Sequence, residues 1–158
     1  MIETIDPGKA ERSLVDALSS TFAEIAFIDV VPIGAGAREP AASAEPVRAA
    51  IDMLKPLSCR LELECPASLL RKIEGNLFQG EGAGEDLLLE LLNVLAGAFA
   101  TSCFGAGADV KLELPRYVFS SAEAEGPEGS EGAEIAQVLG DAEGERLLAA
   151  LRSVRYRY

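Results

Sequence analysis

Leu14, Leu18, Phe22 and Ile25 recur at helical spacing, which predicts a first helix over residues 10–25, and the preceding Asp6-Pro7-Gly8 is turn chemistry. A short strand is expected at 26–32. Residues 34–46 hold too few large apolar side chains to pack and read as a mobile loop. Two strands follow, at 47–54 and 57–65, separated by Lys55-Pro56. The second alternates, with Cys59, Leu61, Leu63 and Cys65 on one side and Arg60, Glu62 and Glu64 on the other, as in a sheet with one covered face. Residues 67–78 place Leu69, Leu70, Ile73, Leu77 and Phe78 on a packing face of a helix, and 79–84 is a glycine-rich connector. A long, almost wholly apolar helix is expected at 85–103. Val110, Leu112 and Leu114 then alternate with Lys111 and Glu113 toward Pro115, which predicts another strand. Residues 120–134 contain only Ala, Glu, Gly, Ser and Pro, a second mobile loop. In 135–158 the pattern leaves two readings open. Leu147, Leu148, Leu151 and Val154 fit a helix, whereas Val154, Tyr156 and Tyr158 alternate with arginines, and Glu143-Gly144 could turn a hairpin. This order of elements reads as α+β, a mostly antiparallel sheet with long helices packed on one face.

Length and composition narrow the function classes. At 158 residues and 49% hydrophobic, the chain is expected to form a single domain over 1–158. A net charge of −12 opposes nucleic acid and anionic membranes, and the basic run from Arg146 to Tyr158 reads as a solvated strand face. The absence of histidine excludes Ser-His and Cys-His nucleophile pairs, His-based zinc motifs and a histidine phosphorelay residue. Cys59, Cys65 and Cys103 fall at apolar positions and read as buried structural thiols, so no metal site is expected. The first residues lack a basic and an apolar stretch, so no signal peptide is read and a cytoplasmic location is expected. The apolar stretch 87–104 is long enough to test as a membrane span. Glu90 and Asn93 near its middle, and the lack of flanking Lys or Arg, favour a core helix with a functional face.

That face is narrow. Asp86, Glu90, Asn93 and Gly97 are spaced by 4, 3 and 4 residues; at about 100° per residue they fall within a sector of roughly 60°. Two carboxylates, a carboxamide and a residue without a side chain thus line one side of an apolar helix. A solvated stripe is the plain alternative, but Asn is a poor helix former and gains nothing from exposure there.

The motif Asp86-x3-Glu90-x2-Asn93, followed by Pro115, resembles the signature of the CheC/CheX/FliY family of chemotaxis phosphatases, and 87–97 resembles that family's active-site helix. One spacing departs from it: the family has 22 residues between Asn and Pro, and 21 separate Asn93 from Pro115. No second copy of the motif is visible, so the chain is most similar to the CheX branch. The resemblance implies a CheC-like fold closed by a C-terminal hairpin, homodimers paired through their sheets, and hydrolysis of the aspartyl phosphate of a CheY-like response regulator. In that reaction Asn93 would hold the attacking water in line, because phosphoryl transfer needs positioning more than a strong base. Glu90 would pair with a lysine of the regulator, and Asp86, Gly97 and Pro115 would contact the partner, with Gly97 allowing close approach. The regulator would bring Mg²⁺, so no cofactor of the chain's own is expected. Two other readings are a non-catalytic docking module of a chemotaxis or flagellar-switch complex and a membrane-associated helix protein.

Overall fold

Asp6 caps the first helix, α1 (Pro7–Thr21): its carboxylate accepts the Lys9 N–H at 2.9 Å, and Pro7 stands at the first turn, where no amide hydrogen is needed. The expected turn is therefore the helix start itself, three residues earlier than apolar spacing alone suggests. In this computed structural model residues 5–33, 46–78, 86–118 and 134–154 are described. The expected loops at 34–46 and 120–134 lie outside them except for Pro46 and Glu134, which begin strands, and residues 155–158 also lie outside.

A π-helical turn, Phe22–Ala26, extends α1 and delays the first strand, β1, to Val30–Ile33 rather than 26–32. The expected pair of strands forms as β2 (Pro46–Lys55) and β3 (Cys59–Pro66), joined through a cis Lys55–Pro56 bond. Helix α2 (Ala67–Phe78) coincides with its predicted span, and α3 runs Leu87–Phe104. The predicted strand before Pro115 is corrected. Only Lys111–Leu112 pair, as β4; pairing resumes at Arg116–Val118, β5, and Leu114 between them is 87% exposed. Between Leu112, opposite Met53, and Arg116, opposite Ala50, three residues face two on β2, so the extra one bulges outward. Residues 134–153 form the hairpin β6 (Glu134–Ala142) and β7 (Glu145–Ser153). Its turn residues, Glu143 and Gly144, have φ of 52° and 84°, as a two-residue turn of this hand demands.

All seven strands join one antiparallel sheet in the order β1-β6-β7-β3-β2, with β4 and β5 both pairing β2 at the far edge. Helices α1 and α3 lie side by side on one face. The topology repeats: helix, edge strand and hairpin in α1-β1-β2-β3, then again in α3-β4/β5-β6-β7, with each edge strand pairing the other unit's hairpin. Burial repeats with it. Ala10, Ser13, Leu14, Ala17, Leu18, Thr21 and Phe22 are matched 78 positions later by Leu88, Leu91, Leu92, Leu95, Ala96, Phe99 and Ala100. An approximate twofold axis therefore runs between the helices and between β3 and β7.

The uncovered sheet face carries cross-strand ion pairs. Arg60 Nε reaches Asp52 at 2.7 Å and Arg116 reaches the same carboxylate at 3.6 Å, while Arg48–Glu64 and Arg152–Glu62 close at 2.6 and 2.5 Å. The alternation read from β3 thus holds on both sides. Cys59, Leu61, Leu63 and Cys65 are buried in the core, and Arg60, Glu62 and Glu64 form the charged rows.

Candidate functional site

Helix α3 owes its placement to nine buried residues, Leu87, Leu88, Leu91, Leu92, Leu95, Ala96, Phe99, Ala100 and Cys103, which face α1 and strands β2 and β3. Burying an apolar side chain of this size contributes roughly 1.5–3 kcal/mol, so the stripe opposite them has no choice but to face outward. Asp86, Glu90 and Asn93 are exposed and Gly97 is half-buried, on one continuous side. Asp86 is the residue before the first helical turn and its side chain makes no capping bond; its carbonyl accepts the Glu90 N–H at 2.9 Å. The predicted start at Glu85 lies outside the described residues.

Thr101 and Ser102 are also exposed. Thr101 continues the stripe by one more turn and was legible as the next step of four after Gly97. Val94, beside Asn93, is 37% exposed and adds an apolar contact to the same side. At Gly97 an added Cβ would meet nothing within 4 Å among the described residues, so packing among them does not demand a glycine there. Pro115 belongs to another element, the outward bulge between β4 and β5. It borders β2, the strand on which α3 packs, and it is partly buried.

The internal repeat shows what distinguishes this face. At the same 78-residue offset, Arg12 stands where α3 has Glu90, and Val15 where it has Asn93. At the matching positions helix α1 therefore presents neither the carboxylate nor the carboxamide.

The three thiols are buried. Burial, then the nearby Asp52 carboxylate, pushes Cys59 up to about 12, and desolvation raises Cys65 and Cys103 as well, the last opposed by a hydrogen bond with Ser13. None is poised as a nucleophile. Among the described residues no group of three or more Cys, Asp or Glu is arranged to hold a metal ion. Helix α3 is long and apolar enough to cross a membrane, but in this fold it is a core helix packed on α1 and the sheet.

No family model matches this sequence, and no curated protein does. Solved structures do. The chemotaxis protein CheX from Vibrio vulnificus superposes with a TM-score of 0.69 at 15% identity, over 94% of this chain and 99% of that one. The chain has the CheC/CheX fold. CheX from Borrelia burgdorferi, solved in a CheX-CheY-BeF3-Mg²⁺ complex, matches with a TM-score of 0.58 at 14% identity, covering 91% of this chain and 96% of that one. The FliM middle domain from H. pylori shares the fold too, with a TM-score of 0.58 at 14% identity over 94% and 91% of the two chains. Closure of the C-terminal segment as a hairpin, which the apolar pattern left open, follows from this fold.

Proposed function

We propose that the chain is a phosphatase for the aspartyl phosphate of a CheY-like response regulator, acting in the cytoplasm as a single domain over residues 1–158. The observation that carries the reading is the exposed Glu90 and Asn93, one turn apart on α3, in a fold that a CheX solved with CheY also has. The Asn93 carboxamide oxygen accepts a hydrogen bond from water and aims it at phosphorus. Glu90 pairs with a lysine beside the phosphoaspartate, and Mg²⁺ arrives with the regulator. Asp86, Gly97 and Pro115 complete the contact surface.

A pair of measurements tests it: affinity for a phosphorylated receiver domain and phosphate release from it. Asn93→Ala is expected to slow release on the order of 100-fold with near-normal binding, because orienting the nucleophile matters in the transition state and not in the encounter complex. Glu90→Ala is expected to weaken both, by about 2–3 kcal/mol where the charge pair is desolvated. Full activity in Asn93→Ala refutes the water-positioning role. Binding without hydrolysis by the unmodified chain favours the second reading, a docking module, to which the FliM-like match and the shorter Asn-to-Pro spacing both lend weight.

Pairing of two copies through their sheets is part of the proposal. On the uncovered face Arg48, Arg60, Arg116, Arg146 and Arg152 balance Asp52, Glu62, Glu64, Glu134 and Asp141, so this face is neutral in a chain of net charge −12. Repulsion between copies is least there. Sedimentation showing a monomer at every concentration would exclude it.

A further inference from the structure

Val94 stands where the rest of α3 leaves room for a polar side chain. At about 100° per residue it lies roughly 40° around the helix from Glu90, near the middle of the sector that α3 turns outward. Leu89 and Ala98 on the same helix pack against the core, and Val94 is outside that cluster. Valine is also a poorer helix former than Ala, Glu or Lys, because the preceding turn restricts its branched side chain. Neither packing among the described residues nor helix propensity therefore accounts for it. At the 78-residue offset the exposed Asp16 occupies the matching place on α1, so this position of the helix pair is compatible with an ionised side chain.

The surface around it is uncharged. From Leu91 to Ala108 the sequence holds no Asp, Glu, Lys or Arg, the longest such run in a chain of net charge −12. Its exposed part is Asn93, Val94, Thr101, Ser102 and the turn Gly105-Ala106-Gly107. The matching stretch of α1 and the turn after it expose Asp16, Glu24 and Asp29. Beyond Glu90, the α3 face thus offers no charge to a basic or an acidic patch, and Val94 is the one large apolar side chain exposed on it among the described residues. Selection along this part of the face falls on apolar contact and shape.

We propose that Val94 is a specificity-determining residue of the α3 face: it takes up an apolar side chain that a receiver domain presents beside its phosphoaspartate, and so selects among phosphorylated receivers. This rests on the docking of a receiver on α3 proposed above. The groups assigned to Glu90 and Asn93, a lysine and the phosphoryl centre, belong to the reaction itself, whereas an apolar neighbour one residue from Asn93 can differ between receivers without altering it. The test measures kcat and KM for phosphate release from a panel of phosphorylated receiver domains, with the full chain and its Val94→Ile, Val94→Ala, Val94→Asp and Val94→Lys variants. For the preferred receiver, KM should rise about fivefold in Val94→Ala and about tenfold or more in both charged variants, with kcat within about twofold of the parent and Val94→Ile close to it. The preference for that receiver over the others should shrink in step. The proposal is overturned by an unchanged KM in both charged variants, by a loss in kcat instead, or by Asp and Lys moving KM in opposite directions, which would make recognition electrostatic. A much lower melting temperature in Val94→Ala would also overturn it, making Val94 a packing residue, as would self-association that Val94→Asp abolishes, assigning the surface to a second copy. A parent that binds receivers without hydrolysing them sinks the catalytic reading alone, and affinity then replaces KM with the same expected and overturning outcomes. A parent that binds no receiver sinks both.

Discussion

Glycine in the interior of a helix costs about 0.5–1 kcal/mol relative to alanine, and at Gly97 nothing among the described residues explains that cost. Gly97→Ala should therefore raise the thermal midpoint by the equivalent of that amount while weakening binding to a receiver domain, if the partner backbone approaches α3 there. Calorimetry and a binding titration on the same variant decide the matter. Unchanged binding would remove Gly97 from the contact surface. The thiols lead to a simpler expectation. With Cys59 held at about 12 by burial, and Cys65 and Cys103 also raised and buried, alkylation at neutral pH should be negligible until denaturant is added. Fast labelling of the native chain would contradict their structural role. Residue types were a good guide to the buried thiols. They were a poor guide to Leu114 and Phe27, whose exposure depends on a bulge and a left-handed corner that alternation cannot register.

Among the elements, β2 and β3 hold the ion pair with most to lose. Asp52 and Arg60 side chains are 9% and 11% exposed, so Asp52→Ala, which removes a charge partner of the nearly buried Arg60, should cost about 3 kcal/mol in denaturant unfolding. Arg48→Ala, at the solvated end of the same strands, should cost under about 1 kcal/mol. Glu145, at the start of β7, is held below the usual carboxylate range by hydrogen bonding with Ser68, and also by Lys72 on α2, against the cost of burial. A lowered folded-state value means that this contribution is present above the unfolded carboxylate range and fades as pH falls through the folded one. The stability gap between the parent and Glu145→Gln should accordingly be open at pH 7 and close in acid. A gap that persists unchanged in acid would point to packing instead. At the other edge, a Cβ on Gly140 would lie 2.6 Å from Val30 Cγ1, so Gly140→Ala should push β1 outward and lower stability.

At the scale of the molecule, an excess of 26 acidic over 14 basic residues acts on a fold whose uncovered sheet face is locally balanced. Much of the excess thus lies off that face. Self-repulsion should be relieved by screening, and the melting temperature should rise from low to physiological salt; a fall would mean that the ion pairs of the sheet dominate. The repeat of helix, edge strand and hairpin places two helix faces in equivalent positions, and Glu90 and Asn93 stand on the α3 face. Arg12 and Val15 keep the α1 face from duplicating whatever Glu90 and Asn93 do.

By itself the sequence determined the α+β class, the spans of α2, α3, β2 and β3, the inward cysteines and the polar stripe on α3, because each is a periodic pattern whose burial is local to one element. Spacing along α3 was enough to place Asp86, Glu90, Asn93 and Gly97 on one side. Tertiary structure decided the rest. The strand order, with each edge strand paired to the other unit's hairpin, rests on contacts far apart in sequence, and the C-terminal hairpin was ambiguous until β7 had β3 to pair with. The bulge at Leu114, the left-handed Phe27 and the absence of any neighbour at Gly97 are consequences of how elements meet, and no periodicity within one segment carries them.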